Sequence, residues 1–370
     1  MAGRSAVGAG LAGRDGEVQH PVAAQPAQDL HGQVRELVSQ PHRVIPRVED
    51  HQDRQVTVTP VLRLDQPGDD LPDLGGGHLG LVIIRAQADG VQHRGPRGAA
   101  GLQRRDHRVR PARDHLRLPG RQSELLEVLL GTGTPVVLVL LTGRPYELSR
   151  FVGRLAAAVC GFFPGQEGGR ALAGVLSGRV NPSGRLPVSF PATGATQPGG
   201  YLAPAPALRS DVSTVDPTPA FPFGHGLSYA PATWCSVVLR SPHAWPTDGY
   251  CQVSITLRND AAITTTEVIQ VYLHDPVAEV ARPVQQLIAT ARADLAAGQS
   301  RTVVIDLHAD LTSYTGRAGR RQVEPGEAEL RIGASSTDIR AVLPVTLTGP
   351  RRPAGYDRIL YPVVTLLPPE

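Results

Sequence analysis

The sequence predicts an α/β fold, a partial layered α/β sandwich, followed by an all-β sandwich, with an N-terminal third that is mostly irregular or disordered. Three observations carry this. Residues 136–190 alternate short apolar runs with amphipathic runs, with glycine or proline at the joins, and that alternation is the grammar of a layered α/β sheet. From about Trp234 the apolar period switches to two, the period of a strand with one buried face. Residues 1–145 contain no Phe, Tyr or Trp, although aromatic side chains bury the most surface per residue in an ordinary core.

Composition sets the outer limits. A chain of 370 residues has room for two or three domains. A formal net charge of +3 implies no strongly basic or acidic partner. Every Lys/Arg position is arginine. The three cysteines, Cys160, Cys235 and Cys251, show no CxxC spacing and support neither a zinc site nor a disulfide framework; a Cys235–Cys251 bridge is left open. No apolar run approaches the roughly 20 residues of a membrane span. Residues 1–16 lack the apolar centre of a secretory signal, so a cytoplasmic location and no membrane contact are expected. Eight of the 12 histidines precede Leu116, but without HxH or HExxH spacing they predict no metal site. The arginine run at 104–117 lacks aromatic or motif support, so it reads as a solvated charge run and no nucleic-acid partner is expected.

The elements follow in order. Within 1–111, two pieces read as strands, 56–62 and 79–84, each isolated among turn formers. A helix at 121–130 follows Leu118-Pro119-Gly120, with Leu125, Leu126 and Leu129 as its buried stripe and Gly131 and Gly133 as its stop. Residues 136–141 are six apolar residues rich in valine, which suits a strand covered on both faces of a parallel sheet. Residues 147–155 place Leu148, Phe151, Val152 and Leu155 on one helical stripe. A second apolar run, 156–163, precedes a helix at 168–176 with Ala171, Leu172 and Val175 in phase and Gly178 as its stop. The turn Asn181-Pro182-Ser183-Gly184 leads into a third strand at 186–190. Then comes a long surface connection to Ala220, rich in Pro, Gly and Ala, with Tyr201 its only aromatic. Beyond Trp234 the sets Val253/Ile255/Leu257, Ile269/Val271/Leu273, Val303/Ile305/Leu307 and Ala328/Leu330/Ile332 alternate with polar residues. The last set follows Glu324-Pro325-Gly326-Glu327, which fits a type II turn. The pattern reads as an antiparallel β-sandwich.

Five words occur in order: LRLPGRQSELL (116–126), TGRP (142–145), FFPGQEGG (162–169), NPSGRLPVSFP (181–191) and FPFGHGLSY (221–229). Together they resemble the second, α/β-sandwich domain of glycoside hydrolase family 3, the β-glucosidase and β-xylosidase family. Residues 268–287 and 315–340 resemble the fibronectin type III-like domain that closes many such enzymes, which implies an immunoglobulin/fibronectin III-like sandwich. The resemblance covers 116–340, about three-fifths of the chain. It implies an α/β domain at 114–230, a fibronectin type III-like domain at 231–349 and a tail at 350–370. The stretch 1–113 is unassigned. It falls where the family has a (β/α) barrel and the first half of the α/β sandwich, yet shows none of their words. It reads as out-of-frame translation or a mis-set gene start, with a disordered extension or an unknown compact domain as alternatives.

The resemblance implies a retaining double displacement by two carboxyl groups about 5 Å apart. The family's aspartate nucleophile lies on the barrel, so no residue here inherits that role. The acid/base glutamate lies in a word like GEGxD before LxLPG; at 108–115 this chain has neither a glutamate nor a glycine pair. Asp114 is the nearest acid, does not align, and is not given the role. No catalytic, cofactor-binding or metal residue is assigned, and no cofactor. Three side chains have two readings each. Glu167 is a catalytic acid or, preferably, a carboxylate stabilised at a helix N-terminus. Arg144 follows a strand end, where α/β sheets put ligands; it faces a sugar site or, preferably, pairs with a local carboxylate. His225 reads as loop packing rather than a proton shuttle. The function implied is the C-terminal portion of a β-glucosidase-like hydrolase of terminal β-glycosides in carbohydrate metabolism. Its partner would be a β-linked glycoside or oligosaccharide, and it would be inactive without the barrel. The alternative is a non-catalytic carbohydrate-binding or interaction module, which Trp234 and Trp245 support only thinly. The early strands that should flank 136–141 are expected to be absent, which would leave an uncovered sheet edge for self-association.

Overall fold

The computed structural model describes the backbone of Gly80–Ala86 and residues 116–192, 200–211 and 216–368. Strand β1 is Gly80–Ala86, helix α1 Gln122–Leu130, β2 Val136–Thr142, β3 Ala157–Cys160 and α2 Gly168–Leu176. The valine-rich run forms β2 as predicted and lies in the middle of a three-stranded parallel sheet. It pairs with β1 from Gly80↔Val136 to Ala86↔Thr142, and with β3 from Val137↔Ala157 to Leu140↔Cys160. The expected vacancy beside β2 is therefore corrected, because both of its edges are paired. The strand at 79–84 looked isolated because its partner lies far along the chain, and parallel pairing leaves no local turn signal. This sheet reaches upstream of residue 114. The other strand expected in the first third, 56–62, lies outside the described residues.

The first core sets Leu126 and Leu129 of α1, Leu138 and Leu140 of β2, Tyr146, Leu148, Phe151 and Phe190 together. Two elements differ from expectation. Residues 147–155 form turns, not a helix. Phe151 N–H donates to the Leu148 carbonyl at 2.8 Å, and Gly153 at φ +80° then reverses the chain. One such turn cannot propagate. Leu148 and Phe151 are buried as the stripe predicted, whereas Val152 is 44% exposed. The third strand of the sheet is β3, from the second apolar run, not 186–190. Residues 186–190 pair antiparallel with 221–225 instead: Leu186 N–H donates to the His225 carbonyl and Phe190 N–H to that of Phe221, both at 2.8 Å. In α2, Gly174 is buried and Ala171 exposed, so its apolar stripe is only partly covered. Gly178, at φ +74°, ends it as predicted.

The remaining strands are β4 Thr233–Leu239, β5 Ala244–Pro246, β6 Tyr250–Arg258, β7 Thr265–His274, β8 Gln286–Leu295, β9 Ser300–His308, β10 Tyr314–Thr315, β11 Arg321–Val323, β12 Gly326–Gly333, β13 Ile339–Thr348, β14 Arg352–Pro353 and β15 Val363–Leu366. They build a five-stranded sheet, β5-β13-β12-β7-β8, a four-stranded sheet, β15-β9-β6-β4, and a small sheet, β10-β11-β14. Every residue of the four alternating sets is buried, and Trp245, at 0% exposure, sits in the same core. Register explains why: Val253 faces Ile305 and Ile255 faces Val303 across β6 and β9. Gly326 opens β12 at φ +157°, not at the roughly +80° of the expected type II turn. Residues 350–370, read as a tail, carry β14 and β15. The three cysteines are free thiols, Cys235 exposed and Cys251 buried, so the bridge left open is not formed. Among the described residues no helix is long and apolar enough to cross a membrane.

Candidate functional site

The parallel sheet presents the C-terminal ends of β2 and β3 on one side, where α/β sheets bind ligands. Thr142 Oγ1 donates to the Arg144 carbonyl at 2.8 Å and closes the first loop. A Cβ on Gly143 would lie 2.5 Å from the Phe163 ring, so only glycine lets that ring seat there. Phe162 holds φ +47°, a left-handed conformation that costs a side-chain-bearing residue roughly 1–2 kcal/mol. Its carbonyl accepts from Thr142 N–H at 3.1 Å. The next ring, Phe163, is 72% exposed.

The residues singled out from the sequence do not converge. The Arg144 guanidinium lies 5.3 Å from the Tyr146 ring centre. This cation–π contact replaces the expected carboxylate partner. Glu167 is exposed immediately before α2 and makes no side-chain capping bond; the helix dipole favours its charge there. His225 stacks on Phe221 with centroids 5.5 Å apart. Burial, and then the Arg185 charge, hold its imidazole below the ordinary histidine range. It packs the loop, as expected. Asp114 lies outside the described residues.

What the structure does bring together is a seam between the α/β domain and the sandwich. Arg185 Nη2 meets Glu267 Oε1 at 2.9 Å, with side chains only 11% and 6% exposed. Asn181 Oδ1 accepts from Ser228 Oγ at 2.8 Å and Tyr229 N–H at 2.9 Å, while its Nδ2 donates to the Thr264 carbonyl at 3.2 Å. Gln270 Nε2 donates to the Gly224 carbonyl at 3.1 Å. Gly224 is at φ +79°, and a Cβ there would lie 2.1 Å from Gln270 Oε1. Tyr201 stacks on Phe223 with centroids 4.0 Å apart and meets the Tyr272 ring edge-on, so the long connection is pinned at its aromatic. The words NPSGRLPVSFP and FPFGHGLSY are therefore joint words: they shape the seam. The turn at Asn181 is legible in the sequence, whereas the contacts of Asn181 and Arg185 across the seam are not.

Two carboxylates do meet on the sandwich. Arg351 bridges Glu279, at 3.1 Å, and Glu324. Tyr314 donates its hydroxyl to Glu324, and Gln322 Nε2 donates to Glu279 Oε2 at 2.7 Å. Burial alone would raise the Glu324 carboxyl; Tyr314, the Glu279 amide and Arg351 more than offset it and leave it below the usual range. One guanidinium offsets one of the two charges and neutral donors hold the other oxygens, an arrangement that holds structure. Among the described residues no group of three or more His, Cys, Asp or Glu could hold a metal.

Comparison with known proteins explains the words. Residues 82–229 match the model of the glycosyl hydrolase family 3 C-terminal domain, and residues 267–336 match that of the fibronectin type III-like domain. The first segment is a domain of the glycosyl hydrolase family 3 C-terminal type and the second a fibronectin type III-like domain. A β-glucosidase of Rhizobium radiobacter is 37% identical over 250 residues, covering 63% of this chain and 30% of that protein. A β-xylosidase of Formosa agariphila is 34% identical over 227 residues, covering 60% of this chain and 31% of that protein. The β-glucosidase structure from Erythrobacter marinus superposes with a TM-score of 0.58 at 32% identity, covering 64% of this chain and 31% of that one. The Listeria innocua β-glucosidase in complex with glucose gives 0.54 at 32% identity, covering 64% and 34%. The chain thus spans about three tenths of the length of the curated relatives it matches. The match begins at residue 82, within β1.

Proposed function

We propose that this chain is the C-terminal portion of a β-glucosidase-type glycoside hydrolase. Its two domains would form the support against which a nucleophile-bearing domain acts on terminal β-glycosides. The observation that carries the reading is the order of the two domains together with their buried Arg185–Glu267 lock. A locked pair is a rigid platform. Retaining hydrolysis needs two free carboxyl groups flanking the glycosidic bond, and the carboxylates that meet here, Glu279 and Glu324, are both tied to Arg351. The 370-residue chain should therefore not turn over aryl β-glucosides or β-xylosides. The test is an assay of the purified chain beside a mock purification. Turnover that disappears on Glu324→Gln would overturn the reading.

A non-catalytic carbohydrate-binding module is the second reading. Trp245 is fully buried and Trp234 half-buried, so neither offers a stacking face. Of the exposed rings on the sandwich, Tyr250, Tyr356 and Tyr361, the last two are the most open, at 104% and 79%. Retention on insoluble polysaccharide that is lost when both become alanine would favour this reading.

A further inference from the structure

Strand β15 has an unusual place in the sandwich. Its four residues, Val363, Val364, Thr365 and Leu366, are all exposed, so it buries no face. It is nonetheless anchored. Arg352 Nη2 reaches Asp310 Oδ1 at 2.5 Å and the Thr247 carbonyl at 2.8 Å. Ile359 N–H donates to Asp310 Oδ2 at 2.9 Å, and Leu367 N–H to the Thr302 carbonyl at 2.9 Å. Core burial does not explain a strand held in this way.

The sandwich's other edges carry protection against pairing with another chain. Edge strand β8 alternates exposed Arg292 and Asp294 with buried alanines. Edge strand β4 carries a register shift between Trp234 and Ser236. Edge strand β5 is three residues long and ends on Pro246. Strand β15 is also short, at four residues between Pro362 and Pro368, but within it there is no charge, no proline and no register irregularity, so its outward amides stay open to a partner. Among the described residues no strand pairs its outer side.

We propose that the outer edge of β15 pairs with β15 of a second copy of this chain, antiparallel about a two-fold axis. The two four-stranded sheets then become one continuous sheet. The ladder fixes the details. Leu367 N–H points to β9, so by alternation the amides of Val363 and Thr365 also face β9, and those of Val364 and Leu366 face outward. A two-fold pairing sets Val364 against Leu366 of the second copy as hydrogen-bonded pairs. It sets Thr365 against its own counterpart, with Cα atoms about 4.5 Å apart. No charge meets a charge and each side chain meets an apolar or hydroxyl partner, so the edge is complementary to itself. A charged edge strand would face this uncharged row without counter-charges. Pro362 and Pro368 bound the strand and keep the contact short, which makes a weak, concentration-dependent dimer.

The test is sedimentation velocity of the full chain over a concentration series. The expected result is a dimer fraction that rises with concentration. Val364→Pro removes an outward donor and leaves the β9 ladder intact, so it should stay monomeric with an unchanged melting temperature. If that variant is destabilised, Val364→Lys, which keeps the amide and adds like charges across the axis, should disperse the dimer equally. In a Cys235→Ser background, Thr365→Cys should give a disulfide-linked dimer on mild oxidation, because the Cα separation suits the bond. A chain that is monomeric at every concentration, a dimer that survives both substitutions at Val364, or a Thr365→Cys variant that does not cross-link would overturn the proposal.

Discussion

Glu267 lies on β7 in phase with Ile269, Val271 and Leu273, all of which are buried. A charge in an inward phase must have a counter-charge brought to it, and Arg185 supplies it from the neighbouring domain at 2.9 Å. Removing one partner of a buried pair leaves the other uncompensated, at a cost of about 3–5 kcal/mol. Glu267→Gln should therefore lower the thermal midpoint sharply. The double change Arg185→Met with Glu267→Leu should recover much of the loss, since apolar replacement of a whole buried pair is often neutral. A double variant no more stable than the single one would show that the charges themselves are required. Gly224→Ala should also destabilise, by about 1–3 kcal/mol for a strained left-handed residue, because its Cβ would lie 2.1 Å from Gln270 Oε1. Differential scanning calorimetry measures both effects. The parity of Glu267 was legible in the sequence; its partner was not, because Arg185 lies 82 positions away.

At the scale of elements, the C-terminal strap hangs on carboxylates. Burial alone would raise the Asp310 carboxyl, but the Ile359 amide, the Arg352 guanidinium and His308 more than offset it and leave it below the usual range. Glu324, beside Arg351, is also held low. A carboxyl depressed in the folded state contributes stability that is complete above its unfolded value, about 4. That stability is lost as pH falls through the folded value. The strap should thus loosen below pH about 4 while the sandwich core persists. Hydrogen exchange at the amides of Ile359 and Leu367 should accelerate before those of β6, and Asp310→Asn should show fast exchange at Ile359 already at neutral pH. Uniform protection down to global unfolding would refute this. Period two located the core strands because each buries one face. It said nothing of β15, which buries none. The helix expected at 147–155 failed for the opposite reason: its stripe exists, but Gly153 stops the turn before it propagates.

At the scale of the whole molecule, the described residues hold two separate cores joined at the seam. The sandwich core contains no residue of the α/β domain, so a fragment spanning 231–368 should fold cooperatively. It should also melt below the full chain. Without residues 181–230, Glu267 loses Arg185, Gln270 loses the Gly224 carbonyl, and Tyr272, now at 0% exposure, loses the Tyr201 ring beside it. Extending the fragment to 181–368 should restore most of the difference. Equal melting temperatures for the two fragments would mean that the seam contributes little to the sandwich.

The sequence by itself determined the two fold types, the buried sets of the sandwich, and the middle strand and both helices of the α/β sheet. These depend on local periodicity, which a single segment carries within itself, and on short words quoted in order. The tertiary structure alone decided that β1 completes the sheet, that 186–190 leaves it to pair with 221–225, and that two of the family words form a joint between domains. It also decided that the last residues add an edge strand. Each of these is a pairing between distant segments, set by hydrogen bonds and buried charges that exist only once both partners are in place.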